Sequence, residues 1–334
     1  MFNLNTCKFL VWGYKNVYHT HSHIHEAFYR TLKLTGKDVM WLDQADDISG
    51  IDLSNTYIIT NHDCIPENGY WPWVNVKKLS VLPIRPDCFY AVHGMNDHDG
   101  IRLLLANQKN KLSWNVLTMT AMRSKLGLSA GESSGNIQLL DEESPFDIEK
   151  GHLEFRWATD LIPSEIEQNK PMEMLSLHNR IIHWVGTVWW VNEKELGEFR
   201  RACEEDGVKF NHIGGGQNGV ISIEENMKLI RESFMAPAIS GSHHLIEGYA
   251  PCRIFKNISY GQYGITNSPK VNEIFGGKLI FNTDPYQLYY EAKERLSNMH
   301  VGELHNLMDE VARKHTYINR LAVLMKASEQ IIND

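Results

Sequence analysis

The chain has 334 residues, of which 22% are charged and 43% hydrophobic, with 24 glycines and 11 prolines; this balance excludes a disordered, collagen-like or low-complexity protein and suits one large or two ordinary domains. Lysine and arginine total 33 against 41 aspartates and glutamates, a net charge of -8, and no long basic run occurs, so a nucleic-acid backbone is not an expected partner. Five scattered cysteines without a C-x-x-C pair indicate neither a disulfide framework nor a structural zinc site, and no run of eighteen apolar residues or basic-apolar leader is readable; the expectation is a soluble, cytoplasmic protein with reduced thiols.

In chain order, Lys8–Trp12 is a short apolar run ending at Gly13, and Ile24, Phe28 and Leu32 recur at helical spacing before Gly36. Asp38–Leu42 follows, giving strand, helix, strand. Thr56–Thr60 runs into Asn61-His62-Asp63, and Cys88–Val92 into His93-Gly94. Strands alternating with helices predict a parallel sheet whose functional residues sit at the carboxyl ends of its strands, where His62, Asp63 and His93 would lie.

Residues 162–174, with Pro163 and Pro171, read as a linker. The pattern then restarts with Arg180–Val185 and Gly186-Thr187, a helix opened at Asn192 with Glu195 as its third residue, a strand Val208–Ile213, a glycine loop, and a capping box Ser222–Glu225 opening the next helix. Ala236–Ile239 reads as a short strand, Arg253–Tyr260 as a helix, and Gly264–Asn267 as a strand end. Ser268-Pro269 and Asp284-Pro285 open further helices, and the last ~35 residues read as two more. The expected domains are therefore 1–165 and 175–315, with a carboxyl-terminal helix at 316–334 that packs back on the first.

Gly214-Gly-Gly-Gln-Asn-Gly219 formally matches G-x-G-x-x-G, but the capping box delays the helix, which argues against a dinucleotide loop and leaves a ligand-binding turn or a plain tight turn. Arg253 and Lys256 are three apart near a helix start, a geometry that suits a diphosphate and equally describes a solvated cation pair. His19, His21, His23 and His25 lie just after the first strand. They read as a general base or acceptor-binding group, as zinc ligands of a hydrolase together with His98, or as capping and packing residues. After His93-Gly94, Asn96, Asp97 and Asp99 read as turn formers, with Asp97 also a candidate base. Trp71, Trp73, Trp189 and Trp190 offer flat faces for sugar rings or ordinary packing.

Arg253-Ile-Phe-Lys-Asn-Ile-Ser-Tyr-Gly261 followed by Gly264-Ile-Thr-Asn-Ser-Pro-Lys-Val-Asn-Glu-Ile-Phe275, then Lys278–Asp284 and His315–Arg320, resembles the donor-binding half of two-domain GT-B glycosyltransferases over residues 180–320. The resemblance implies an α/β chain of two Rossmann-like domains facing across a cleft, the first for a glycan or other hydroxyl acceptor and the second for a nucleotide-sugar. It implies a metal-independent transferase, of the kind used in polysaccharide biosynthesis, with no cofactor beyond the nucleotide-sugar co-substrate and no bound metal. Donor contacts would fall to Gly186, Thr187, Gly214, Gly215, Gly216, Tyr249, Arg253, Lys256 and Asn257, and catalysis to His23, His93 or Asp97. Glu247 resembles the first of two glutamates found in many retaining members, while Phe255 stands where the second belongs, so the stereochemical course stays open. The alternatives are a histidine-cluster metallohydrolase and a non-catalytic nucleotide- or glycan-binding protein.

Overall fold

The structure, a computed structural model, describes residues 2–15, 20–65, 79–117, 137–174, 178–188, 192–214 and 221–334. The chain is an α/β protein of two compact units. Among the described residues, the first unit holds those up to Leu117, the stretch ending at Arg156, and Tyr317–Asp334; the second is Trp157–Thr316.

The first unit is built on one eight-stranded sheet in the order β2-β1-β3-β4-β5-β8-β7-β6. Its strands are β1 (Lys8–Trp12), β2 (Val39–Leu42), β3 (Thr56–Asn61), β4 (Phe89–His93), β5 (Lys111–Val116), β6 (Ile137–Leu139), β7 (Pro145–Asp147) and β8 (His152–Phe155). The first five and β8 run parallel, and β7 and β6 close the edge antiparallel. Helix α1 (Thr20–Leu34) connects β1 to β2, the chain then crosses to β3 on the other side of β1, and the carboxyl ends of β1 and β3 thus flank a topological switch point. The strands that the apolar runs predict are present. They read as continuous Val/Ile/Leu/aromatic stretches because the sheet is covered on both faces: Phe9–Trp12, Tyr57–Ile59 and Phe89–Val92 are buried. A short helix α2 (Asp99–Leu104) follows β4, and the last helix, α11 (Tyr317–Asn333), packs in this unit, where Tyr317 meets Phe28 edge-on and Ser328 shares a hydrogen bond with Tyr57.

The second unit carries two parallel sheets, β9 (Ile181–Val185) with β10 (Lys209–Ile213), and β11 (Pro237–Ala238), β12 (Ile265–Thr266) and β13 (Ile280–Phe281) in that order. The predicted linker is instead occupied in part by helix α3 (Pro163–Gln168), whose Ile166 is fully buried in the core of this unit; proline at its first position starts the helix at no hydrogen-bond cost. Helix α4 (Glu193–Glu205) has Asn192 as N-cap and buries Leu196, Phe199 and Cys203, the apolar face visible in the sequence; the Glu195 carboxylate accepts from the Ser242 N–H. Ser222 caps α5 (Ile223–Glu232) through the Glu225 N–H. The short α6 (Ser242–Glu247) precedes α7 (Cys252–Ser259). Ser268 caps α8 (Pro269–Ile274), Asp284 caps α9 (Pro285–Ser297), and α10 (Val301–Lys314) completes the unit. The two ends of this unit lie side by side, since Thr159 N–H donates to the His315 carbonyl at 2.9 Å. No described helix is long and apolar enough to cross a membrane.

Candidate functional site

In the first unit, the carboxyl ends of β1, β3, β4 and β5 gather a polar edge. Asn61, the last residue of β3, places its Nδ2 3.1 Å from His93 Nδ1 and 3.4 Å from His21 Nε2, and its Oδ1 accepts from the Asp63 N–H. His62 Nε2 stands 3.0 Å from Asp63 Oδ1 and Nδ1 3.2 Å from the His93 carbonyl, while the ring stacks on His98 at 3.5 Å. Gly94 makes room for this: it has φ 72°, and a β-carbon there would stand 2.7 Å from His62 Nδ1.

The α1 histidines divide by helical periodicity. His21 stacks on Tyr14 and approaches His93 (both 5.3 Å), and His25 is buried with Nδ1 2.8 Å from the Gly13 carbonyl. His23 lies about 200° around the helix axis from His21, so the two side chains leave α1 in different directions, and His21 is the one that meets Asn61 and His93. His19 and the tryptophans at 71, 73, 189 and 190 lie outside the described residues. Asp97 is exposed in a turn and accepts from Asn115 Nδ2 at 2.7 Å. Asp63 is held below the ordinary carboxylate range: burial alone would raise it, but the bond to His62, the charges of His62 and His98, and the Tyr14 hydroxyl outweigh that.

The His93 ring packs flat on Trp114 at 4.4 Å, and burial, together with repulsion from His62 and His25, pulls its pKa down to about 3. His93 is therefore neutral near pH 7 and a poor proton acceptor, which fits a hydrogen-bonding role better than that of a general base. The consequence for stability has a definite sign. An unfolded histidine takes up a proton near pH 6.5 and the folded His93 does not, so the contribution is complete above that pH and is lost as pH falls toward about 3. The melting temperature is expected to decline from pH 7.5 to pH 4.5, and His93→Gln to flatten that decline; equal slopes in the two proteins refute it.

In the second unit, β9 ends in Trp184-Val185-Gly186, and the Arg253 guanidinium of α7 lies on the Trp184 ring, 3.7 Å from its centroid, with Nη2–H donating to the Val185 carbonyl at 2.8 Å. Gly186 permits the approach: its φ is 127°, and a β-carbon would collide with Arg253 Nη2. Burial lowers the Arg253 pKa to about 10, so it remains a cation at neutral pH. Among the described residues no carboxylate pairs with it.

Lys256, the other expected diphosphate contact, is turned elsewhere. Its Nζ lies 2.7 Å from Asp160 Oδ2, inside a network in which the Tyr260 hydroxyl donates to the same carboxylate. Burial pulls the Lys256 ammonium down, but the Asp160 charge outweighs it and the net shift is upward. The spacing of three that pairs Arg253 with Lys256 in sequence does not pair them here. Asn257 is likewise committed: it is buried, and its Nδ2 donates to the Ala236 carbonyl, tying α7 to the segment entering β11. The Tyr249 hydroxyl accepts from Trp157 Nε1 at 2.8 Å, and its ring packs on His244. Gly186 is held at the strand ends by its N–H to the Ile213 carbonyl and by His212 Nε2 on its own carbonyl; Thr187 is half-buried beside it, and Gly214 is buried with φ 78°. Gly215 and Gly216 lie outside the described residues.

Two donors absent from the expected donor contacts stand near the same strand ends. Among the described residues Trp184 Nε1 is buried without a hydrogen-bond partner, and so is Ser240 Oγ just beyond β11. The Ser240 backbone is fixed on both sides by the Asn267 carboxamide, which accepts from its N–H and donates to its carbonyl, each at 2.8 Å. The signal for Trp184 was its position before a strand-ending glycine; Ser240 carried none. Among the described residues no group of three or more His, Cys, Asp and Glu side chains is arranged to hold a metal ion.

No protein-family model matches the chain, and no curated protein matches it. It is similar to a number of solved structures, among them these three. The first is an α,α-trehalose 6-phosphate synthase from Burkholderia multivorans, at 11% identity over 75% of this chain and 71% of that one, with a TM-score of 0.44. The second is a trehalose-6-phosphate synthase, at 10% identity over 98% of each chain, with a TM-score of 0.47. The third is an α1,3-fucosyltransferase solved with GDP, at 10% identity over 98% of this chain and 92% of that one, with a TM-score of 0.39. No residue role passes from them to this chain.

Proposed function

We propose that this protein is a glycosyltransferase of the GT-B type that moves a sugar from a nucleotide-diphosphate donor to a hydroxyl acceptor, and that its second unit binds the donor diphosphate. The carrying observation is the half-buried Arg253 guanidinium, stacked on Trp184 at the end of a parallel strand and lacking a carboxylate among the described residues, with the buried Trp184 N–H and Ser240 hydroxyl also unmatched. Leaving buried donors unpaired costs about 1–3 kcal/mol each, so such a group is matched to an acceptor-rich, anionic ligand. Diphosphate oxygens supply that, and a planar guanidinium binds them in pairs.

A nucleoside diphosphate is a good leaving group once its developing charge is met. In this reading Arg253 and the neighbouring N–H donors stabilise that charge as the bond to the anomeric carbon breaks, without calling on a metal. The acceptor hydroxyl is assigned to the histidine-rich edge of the first unit, where neutral His93, Asn61 and the Asp63 carboxylate are hydrogen-bonding groups. A metallohydrolase built on His19, His21 and His98 is less well supported, because within the described residues His98 stacks on His62 while His21 turns to Tyr14 and His93.

The test is isothermal calorimetry of the purified protein with UDP, GDP and CDP, repeated in EDTA, followed by an assay of hydrolysis of the matching nucleotide-sugars. Micromolar to low-millimolar binding of one nucleotide, unchanged by the chelator, is expected. Absence of binding to all three overturns the reading, and binding lost in EDTA overturns its metal-free form.

A further inference from the structure

Strand β8 carries a buried polar pair, His152 and Glu154, that the proposed donor site does not use and that reaches the histidine edge through Asn115 and Asp97. In the parallel pairing of β5 with β8, Ser113 faces His152 and Asn115 faces Glu154, so these four side chains share one face, while Leu153 and Phe155 point to the other. Asn96, in the turn after β4, donates its backbone N–H to Ser113 Oγ and its Nδ2–H to His152 Nδ1 at 3.3 Å. That leaves the His152 proton on Nε2, which is 3.4 Å from Glu154 Oε1 and donates to it. The relay thus runs from amide to imidazole to carboxylate and orients Glu154 through one oxygen.

The other oxygen is the unusual group. Glu154 is 3% exposed, and among the described residues its Oε2 has no hydrogen-bond partner. A buried carboxylate oxygen held by a relay and left unmatched is costly, and a donor from a ligand removes that cost. The row has an open end: Asn115, beside Glu154 in register, is half-buried and donates Nδ2–H to Asp97 Oδ2, and Asp97 is exposed. From solvent inward the order is carboxylate, carboxamide, carboxylate.

We infer that Glu154, oriented by Asn96 and His152, is a ligand-binding carboxylate whose Oε2 accepts a hydrogen bond from a hydroxyl of a sugar-like polyol, with Asn115 and Asp97 completing the subsite. Alternating amides and carboxylates match the donor-acceptor character of neighbouring hydroxyls. A cation is the poorer occupant: the His152 imidazole in the row is already engaged by Asn96 and Glu154, and among the described residues no group of three or more His, Cys, Asp and Glu side chains is arranged to hold a metal ion. The inference rests on the glycosyltransferase reading for its choice of a polyol.

The experiment uses the full chain and four probes, the methyl glycosides of glucose, galactose, mannose and N-acetylglucosamine, followed by saturation-transfer NMR, with nucleotide affinity measured in parallel. The wild type is expected to bind at least one glycoside, Glu154→Gln to bind it about ten-fold or more weakly, and both to bind the nucleotide equally. Should Glu154→Gln fail to fold, Asn115→Ala at its half-buried position is expected to weaken glycoside binding in the same direction. Glycoside binding that survives the Glu154 and Asn115 substitutions, or wild-type protein that binds none of the probes, overturns the inference. Nucleotide binding in those same samples reports separately on the donor site, so either reading can fail alone.

Discussion

Replacing Arg253 by alanine is expected to weaken nucleoside diphosphate binding by about a hundred-fold. A hydrogen bond to a charged group contributes roughly 1.5–3 kcal/mol, and a guanidinium contacting a diphosphate forms more than one, so a loss of about 2–4 kcal/mol is in proportion. Arg253→Lys is expected to recover less than a tenth of the lost affinity. A lysine ammonium carries the charge, but it neither stacks flat on Trp184, as the guanidinium does at 3.7 Å, nor presents a planar fork. Melting temperature measured beside affinity separates loss of the ligand contact from loss of the stacking on Trp184. Equal affinities for wild type and Arg253→Ala would remove the basis for placing the donor here.

Lys256→Ala is expected to act on stability instead. Asp160 is 1% exposed at its side chain and Lys256 12%, and removal of the ammonium leaves a buried carboxylate held by the Tyr260 hydroxyl. Breaking such a pair costs about 3–5 kcal/mol, which in a unit of this size lowers the melting temperature by roughly 10 °C. Nucleotide affinity of the folded protein should stay within about three-fold of the wild type. The double substitution Asp160→Asn with Lys256→Met removes both charges together and is expected to regain most of the lost stability. A large affinity loss from Lys256→Ala with an unchanged melting temperature would show that this lysine faces the ligand after all.

The contrast between these two cations explains what the sequence could and could not reveal about the site. Arg253 and Lys256 are three apart on α7, and spacing alone makes them partners on one face. Yet Arg253 turns to the Val185 carbonyl, 68 residues away in sequence, while Lys256 shares Asp160 with Tyr260, itself 100 residues from that carboxylate. The α1 histidines show the same limit: the H-x-H-x-H-x-H run marks a cluster, but only the fold shows that His21 meets Tyr14 and Asn61. The Glu154 row was illegible for a further reason. Lys111–Val116 and His152–Phe155 alternate polar with apolar residues, and the short hairpin strands before β8 have no apolar run, so this part of the sheet does not announce itself as the earlier strands do.

Sequence by itself determined the alternation of strands and helices, the caps at Ser222, Ser268 and Asp284, and the polar residues waiting at the ends of β3 and β4, because each depends on a hydrogen bond or an apolar period within a few residues. Tertiary structure alone decided that Arg253 lies on Trp184 while Lys256 pairs with Asp160, and that one oxygen of Glu154 finds no hydrogen-bond partner among the described residues. Charge pairing and desolvation act through space, and the sheet order that brings distant residues together is set by burial of the whole core rather than by any local segment.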